Sequence, residues 1–317
     1  VAERKCSDRD FIRVFEESGA AGVAKTFGSN ISGVYRRRAH LEKKLKRQIT
    51  SPNRPEIATR HNVSHDARIE LGVQNGVVLV GSDCHYWPHI VSTAHRAFVK
   101  FCKDLRPKAV ILNGDVLDAA SVSRHPPIGW EHTPSLVEEI ETAKERLTEI
   151  ERAIDGNCKR IWTLGNHDGR FETRLATVAP EYAKLNGVHL KDHFPLWWPC
   201  WSVWINNHTV VKHRFKGGIH ATHNNTLWSG KSIVTGHLHS LKVTPFSDYN
   251  GTRWGVDTGT MAEPYGDQFV DYTEDSPKNW RSGFVVLYFE RGELRWPQIV
   301  HVVEEGLVEF QGKTIAV

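Results

Sequence analysis

Five short apolar runs in this sequence lead into side chains able to hold a metal ion. VVLVGSD (77–83) opens Asp83-Cys84-His85, and AVILNGD (109–115) ends in Gly114-Asp115. RIWTLGN (160–166) opens Asn166-His167-Asp168, TVVKH (209–213) ends in His213, and SIVTGH (232–237) opens His237-Leu238-His239. Each motif alone is an ordinary turn sequence. Their ordered series, each after a strand-like run, carries the information. Brought together, Asp83, His85, Asp115, Asn166, His213, His237 and His239 offer seven oxygen and nitrogen donors. That set suits Mn²⁺, Zn²⁺ or Fe, and no cysteine need take part. Seven donors are too many for one ion with open positions. They suit two ions about 3.5–4 Å apart under a bridging carboxylate, naturally Asp115. Gly114, Gly165 and Gly236 would let the backbone turn sharply and approach the ions.

Such convergence requires neighbouring strands that end on one rim of a sheet. The β-rich runs alternate with amphipathic segments such as AHRAFVKFCKDL and LVEEIETAKERLTEIERAI. This predicts an α/β fold of buried strands covered by helices on both faces. FVVLYFERGELRWPQIVHVVEE predicts a hairpin or meander with a turn near Arg291-Gly292, so the sheets should be mixed.

The series SDCH, NGD, GNHD, KH and GHLH resembles the calcineurin-like metallophosphoesterase superfamily over roughly residues 76–260. The resemblance implies a four-layer α/β/β/α sandwich with a dinuclear centre on one rim. It implies one ion on Asp83, His85, Asp115 and His239, and the other on Asp115, Asn166, His213 and His237. His213 is followed by Arg214, where the family usually has Gly. His220 and His223 are the nearby alternatives, but His213 alone directly ends an apolar run.

The implied chemistry is phosphate ester hydrolysis, in which two cations acidify a bridging water and polarise the phosphoryl oxygens. His167 resembles the family's acid/base histidine, Asp118 its orienting partner, and Asp168 a loop support. Asp118 is followed by Ala119, whereas the protein phosphatases have Arg there and the repair nucleases have His at the Asp118 position. GNHD and the full GHxH point to a phosphodiesterase or nuclease acting on nucleic acid or nucleotides. A phosphomonoesterase or protein phosphatase is the alternative. Another is a DNA-binding protein with a non-catalytic phosphoesterase scaffold. The layout GNHDGRFETRL also resembles metallophosphoesterases of bacteriophage genomes. Arg170 and Arg174 are candidates for a substrate phosphate, set against helix-face roles. His125, in the insertion after Asp118, is a candidate pocket residue. The cluster LWWPCWSVW (196–204) reads as packing before base stacking.

The N-terminal region is different. Residues 1–60 hold 14 Lys/Arg against 7 Asp/Glu, and the remainder 27 against 30. The basic surplus therefore lies at the N-terminus and hints at an anionic partner. DRDFIRVFEES, AAGVAKTFG and ISGVYRRRAHLEKKLKRQ predict three helices, with Gly28 at a tight turn and Val23, Phe27, Ile31 and Val34 as the apolar spacing. This is helix-turn-helix grammar, resembling resolvase- and transposase-like proteins, with Ser29, Asn30 and Ser32 near base edges and Arg36, Arg37 and Arg38 near phosphates. An oligomerisation or docking module is the alternative. The expected organisation is a small all-α module at 1–50, a linker at 51–65 and the phosphoesterase domain at 66–317.

The 317 residues, 39% hydrophobic and 25% charged, fit a globular chain with a large core. No apolar run nears the roughly 18 residues of a membrane helix. VAERKCSDRD lacks a signal-peptide core, and a start at Val1 rather than Met suggests a trimmed beginning. Five scattered cysteines suggest reduced thiols in a cytoplasm, the host's if the chain is phage-encoded. SGKS at 229–232 lacks the upstream Gly of a phosphate-binding loop, and neither GxSxG nor HExxH occurs.

Overall fold

The computed structural model describes residues 6–51, 67–125, 133–274, 276 and 278–317. The chain divides into two compact units, Val1–His65 and Asp66–Val317.

In the first unit, α1 (Asp8–Phe27) starts at Ser7, whose side chain accepts from the Asp10 N–H. It is broken at Gly19 (φ 66°, ψ −169°), so it comprises two of the three expected helical segments. Gly28, in the left-handed conformation, ends it, and Asn30 caps α2 (Ile31–Leu45). Phe11, Phe15, Val23, Val34, Leu41 and Ile49 form this unit's core. Ile31 stands exposed, outside the expected apolar spacing. A helix-turn-helix is not shown by these helices. Three of the six candidate DNA contacts have partners within the unit. Asn30 Oδ1 accepts from the Gly33 N–H at 2.6 Å. Arg37 bonds Cys6 O and Asp8 Oδ1, both at 2.8 Å, with its guanidinium over the Phe11 ring. Arg38 pairs with Glu42 at 3.0 Å over Phe15. Ser32 and Arg36 are exposed and Ser29 half-buried.

The second unit holds two mixed sheets. The first has six strands in the order β1 (Arg68–Leu71), β6 (Ser202–Ile205), β7 (Thr209–Val211), β8 (Ser232–Thr235), β10 (Gly251–Asp257), β9 (Lys242–Asp248). The second runs β15 (Lys313–Ala316), β14 (Leu307–Phe310), β13 (Gln298–Glu304), β11 (Gly283–Glu290), β2 (Gly76–Gly81), β3 (Ala109–Asn113), β4 (Lys159–Thr163), β5 (Trp198–Cys200), with β12 (Glu293–Leu294) beside β11. The two-residue period of a strand sorts the apolar side chains into two cores. Val78, Val80, Ile111 and Ile161 meet Val203, Val211, Val234 and Val256 between the sheets. Leu79, Val110, Leu112 and Trp162 face α3 (Thr93–Leu105) and α4 (Leu136–Ala153), through Phe98, Phe101, Ile140 and Leu147. On the far side α7 (Ala221–Ser229) packs on β8, β9 and β10.

This is the α/β/β/α sandwich. The expectation of helices on both faces of one sheet is corrected, because each sheet gives one face to helices and the other to its partner sheet. Arg291 and Gly292 take φ of 54° and 83° in the turn from β11 to β12, where the hairpin signal lay. The tryptophan run also divides: Trp197 is buried and donates to Glu151 at 2.8 Å, while Trp198 and Trp201 are exposed. All five cysteines are free thiols. Among the described residues, no helix is long and apolar enough to cross a membrane.

Candidate metal centre

The five motif-bearing runs are strands β2, β3 and β4, adjacent in one sheet, and β7 and β8, adjacent in the other. The donors therefore come from the rims of two sheets, not of one. Backbone bonds lock the rims together. The N–H groups of Asp83, His85 and Tyr86 donate to Gly114, Asp115 and Val116, which extends the β2–β3 pairing into the loops. His213 Nδ1 bonds Asn113 O at 2.7 Å across the gap between the sheets. The Gly236 N–H donates to His213 O at 2.8 Å.

Two clusters of donors result: Asp83, His85 and His239, and Asp115, His213 and His237. His213, not the exposed His220 or His223, meets Asp115. Asp83, His85, Asp115, His237 and His239 all take left-handed backbone, with φ of 52°, 39°, 51°, 73° and 55°. That conformation costs a non-glycine residue about 1–3 kcal/mol and persists where the surroundings impose it, most often at functional sites. Gly114 (φ 86°) turns β3 into Asp115, and a Cβ there would lie 2.3 Å from the His213 ring. At Gly165 a Cβ would stand 2.0 Å from Asp115 Oδ1 and 2.5 Å from its backbone nitrogen.

The donors fit cations. Asn166 Oδ1, His213 Nε2 and His239 Nδ1 are buried without a hydrogen-bond partner. The bond from His213 Nδ1–H to Asn113 leaves Nε2 with its lone pair only 3.1 Å from Asp115 Oδ2. Two acceptors that close require positive charge between them. Burial opposes an imidazolium at His213, but the charges of Asp83 and Asp115 outweigh it and push the ring up to about 10. The same negative field attracts a divalent ion.

His85, Asp118 and His167 also converge. Asp118 Oδ1 lies 2.8 Å from His85 Nδ1 and 3.0 Å from His167 Nδ1. It is thus engaged by two rings and orients both, a link to His85 that spacing did not reveal. Arg170, on α5 (Asp168–Val178), donates to Asp118 O at 2.9 Å and reaches His167 Nε2 at 3.2 Å. Arg174, one turn on, is exposed. His125 is exposed, its backbone N–H donating to Ser123, and is not among the side chains brought together.

Asp168 joins the two loops. Its carboxylate accepts from the backbone N–H groups of Asp115, Val116, Leu117 and Gly165 and from Trp162 Nε1. Glu139, buried on α4, accepts from the Ala119 and Ala120 N–H groups just after Asp118. Nothing in the sequence near Glu139 marks it, since it looks like any other glutamate of that helix. An aromatic wall was also not foreseen: Trp280 lies 4.4 Å from the His239 ring, and Phe269 lies 5.2 Å from His85.

Residues 76–259 match the calcineurin-like phosphoesterase family. A curated relative, the gene 54 protein of Mycobacterium phage D29, is 27% identical over 231 residues, 66% of this chain and 87% of that one. Among solved structures, Vps29 of Entamoeba histolytica, complexed with zinc, is similar over 76% of this chain and 98% of its own, at 14% identity and a TM-score of 0.41. A dimetal phosphatase of Danio rerio is similar over 72% and 96%, at 10% identity and a TM-score of 0.32. The family match covers the strands whose ends supply both donor clusters. The chain therefore belongs to the calcineurin-like phosphoesterase family and is a metal-dependent phosphoesterase.

Proposed function

We propose that the protein is a phosphodiesterase or nuclease acting on nucleic acid or nucleotides, with Mn²⁺ the favoured metal and Zn²⁺ or Fe the alternatives. The observation that carries the diesterase reading is the complete GHxH pair, His237 beside Asp115 and His213, and His239 beside Asp83 and His85, with Ala119 after Asp118. One cation would sit on Asp83, His85, Asp115 and His239, and the other on Asp115, Asn166, His213 and His237. When bound, two divalent cations draw charge from the phosphoryl oxygens and lower the pKa of water.

The chain's own residues then handle the leaving group. His167 Nδ1 is held by the side chain and backbone oxygen of Asp118, both at 3.0 Å. That fixes the ring with Nε2 toward the cluster, 4.0 Å from Asp115 Oδ2. Burial disfavours the charged ring, but the Asp118 bond and the charges of Asp115 and Asp118 raise its pKa above the usual value. A proton carried at Nε2 would serve a departing alkoxide, and the Arg170 N–H that meets this nitrogen at 3.2 Å must turn away when the ring takes that proton. Arg170, beside that nitrogen, offers positive charge to a phosphate oxygen.

Arg170 is also the observation favouring a monoesterase, whose substrate carries one more negative charge. The test is turnover of bis-p-nitrophenyl phosphate against p-nitrophenyl phosphate by the Mn²⁺-loaded protein. Faster diester turnover is expected. Turnover of the monoester alone removes the diesterase reading, and no turnover with any divalent metal leaves the scaffold reading.

A further inference from the structure

Acidic side chains are missing from one continuous part of the chain. From His193 to Ser247, 55 residues, there is no Asp or Glu, although 37 acidic residues in 317 would place about six there. The same stretch holds five Lys or Arg and seven His. It supplies β6, β7, α7, β8 and nearly all of β9, with the loop directly after His213. The remainder of that sheet restores little negative charge. Glu70 lies on edge strand β1, Asp257 is buried, and Asp248 pairs with Arg253 at 2.5 Å. The surplus of positive charge is therefore not confined to the N-terminus.

The loop itself has the chemistry of a strand-binding surface. Residues 214–220 are exposed. Phe215 and Trp228 are 42% and 68% exposed. Each ring has a cation at its face, Lys212 Nζ at 5.2 Å from Phe215 and Lys216 Nζ at 4.7 Å from Trp228. The loop is pinned, because the Lys216 N–H donates at 2.9 Å to Oδ1 of the buried Asn225, and Lys242 Nζ reaches Ile219 O. Aromatic faces for bases, cations for phosphates and no repelling carboxylate are the requirements for holding an unpaired strand. A duplex hides its base faces and would use the cations alone.

We infer that loop 212–220 and the exposed face of α7 form a track for single-stranded nucleic acid beside the His213 end of the metal centre. This rests on the diesterase reading, whose substrate class it narrows.

The test uses the full chain with Mn²⁺ and a fluorescein-labelled, cleavage-resistant phosphorothioate 15-mer of thymidine, read by anisotropy between 50 and 200 mM salt. The single strand is expected to bind more tightly than its duplex. Trp228→Ala should weaken single-strand binding at least about fivefold. Lys216→Ala should flatten the log–log salt slope by about 0.7. The N-terminal unit is present in every variant, so the differences report the loop. Both variants binding within twofold of the parent, or equal losses on the duplex, overturn the inference. Turnover of bis-p-nitrophenyl phosphate, measured alongside, separates the two claims. Turnover without variant effects removes the track alone, and variant effects without turnover remove the diesterase alone.

Discussion

Replacing Asp168 by Asn changes one atom at the junction of two loops, and the structure sets the size of the effect. Oδ2 of Asp168 accepts from Asp115 N at 2.8 Å, Gly165 N at 2.8 Å and Trp162 Nε1 at 2.9 Å. Oδ1 accepts from Val116 N at 2.9 Å and Leu117 N at 3.3 Å. An amide retains one of these oxygens. If it replaces Oδ2, its NH₂ faces the N–H groups of Val116 and Leu117, and the reverse placement strands three donors. At least two buried N–H groups then lack a partner, at about 1–3 kcal/mol each, or about 2–6 kcal/mol in all. A domain has about 5–15 kcal/mol to lose. Burial and the Asp115 charge push the Asp168 carboxyl up to about 6, so at pH 8 the parent bears a cost of ionisation on the order of 3 kcal/mol that Asn escapes, and the net effect lies between a gain of about 1 and a loss of about 3 kcal/mol. Urea unfolding in EDTA, followed by tryptophan fluorescence, is the assay, since all 11 tryptophans lie after residue 66 and report the second unit. Arg174→Ala is the exposed control. A midpoint shift showing Asp168→Asn more stable than the parent by over about 2 kcal/mol would refute the clamp, because the stranded N–H groups would then cost nothing.

His167→Ala should retain both metals while losing about 10²–10⁴-fold in turnover of esters with poor leaving groups, with p-nitrophenyl esters much less affected; a fall in metal content instead would contradict the acid role. Glu139 gives a pH signature. Burial pushes its carboxyl up to about 7 from 4.5, with the Ala119 N–H pulling the other way and the Asp118 charge adding to the rise. A raised carboxyl stabilises the fold fully below pH 4.5 and loses that contribution as pH rises through about 7, on the order of 3 kcal/mol in total. Glu139→Gln cannot ionise, so its unfolding midpoint relative to the parent should climb between pH 4.5 and 8, and a flat difference would count against it. Gly165→Ala should lower both stability and metal content, because its Cβ would meet Asp115 backbone and carboxylate together; normal metal content measured by mass spectrometry would show that the loops are softer than described.

The site donors were legible because each is local: a ligand follows its own strand within a few residues. Asp83, Asp115, His213 and His237 could be read in that way without knowing which sheet each strand joins. The two-sheet origin was not legible, since an apolar run such as VVLVG is identical in pattern whether a helix or a second sheet covers it. Residues that act through long-range hydrogen bonds also escaped. Glu139 serves loop atoms 19 and 20 residues away, and nothing near it in the chain marks that role. Trp280 reaches His239 across 41 residues of sequence with no periodicity to announce it. Arg37 and Arg38 have internal partners that the sequence also did not announce. Their charge suggested phosphate contact, and their partners Asp8 and Glu42 and the rings of Phe11 and Phe15 also tie them to the fold.

The central claim is that seven donors from two sheet rims hold two cations with Asp115 shared between them. Metal stoichiometry tests it most directly. The 317-residue chain dialysed against Mn²⁺ and then metal-free buffer should retain two ions per chain by inductively coupled plasma mass spectrometry. Asp115→Ala should retain fewer than one, because both clusters lose the same carboxylate, whereas His239→Ala should retain about one. A parent chain holding a single ion, or an Asp115→Ala variant still holding two, would contradict the shared-carboxylate centre.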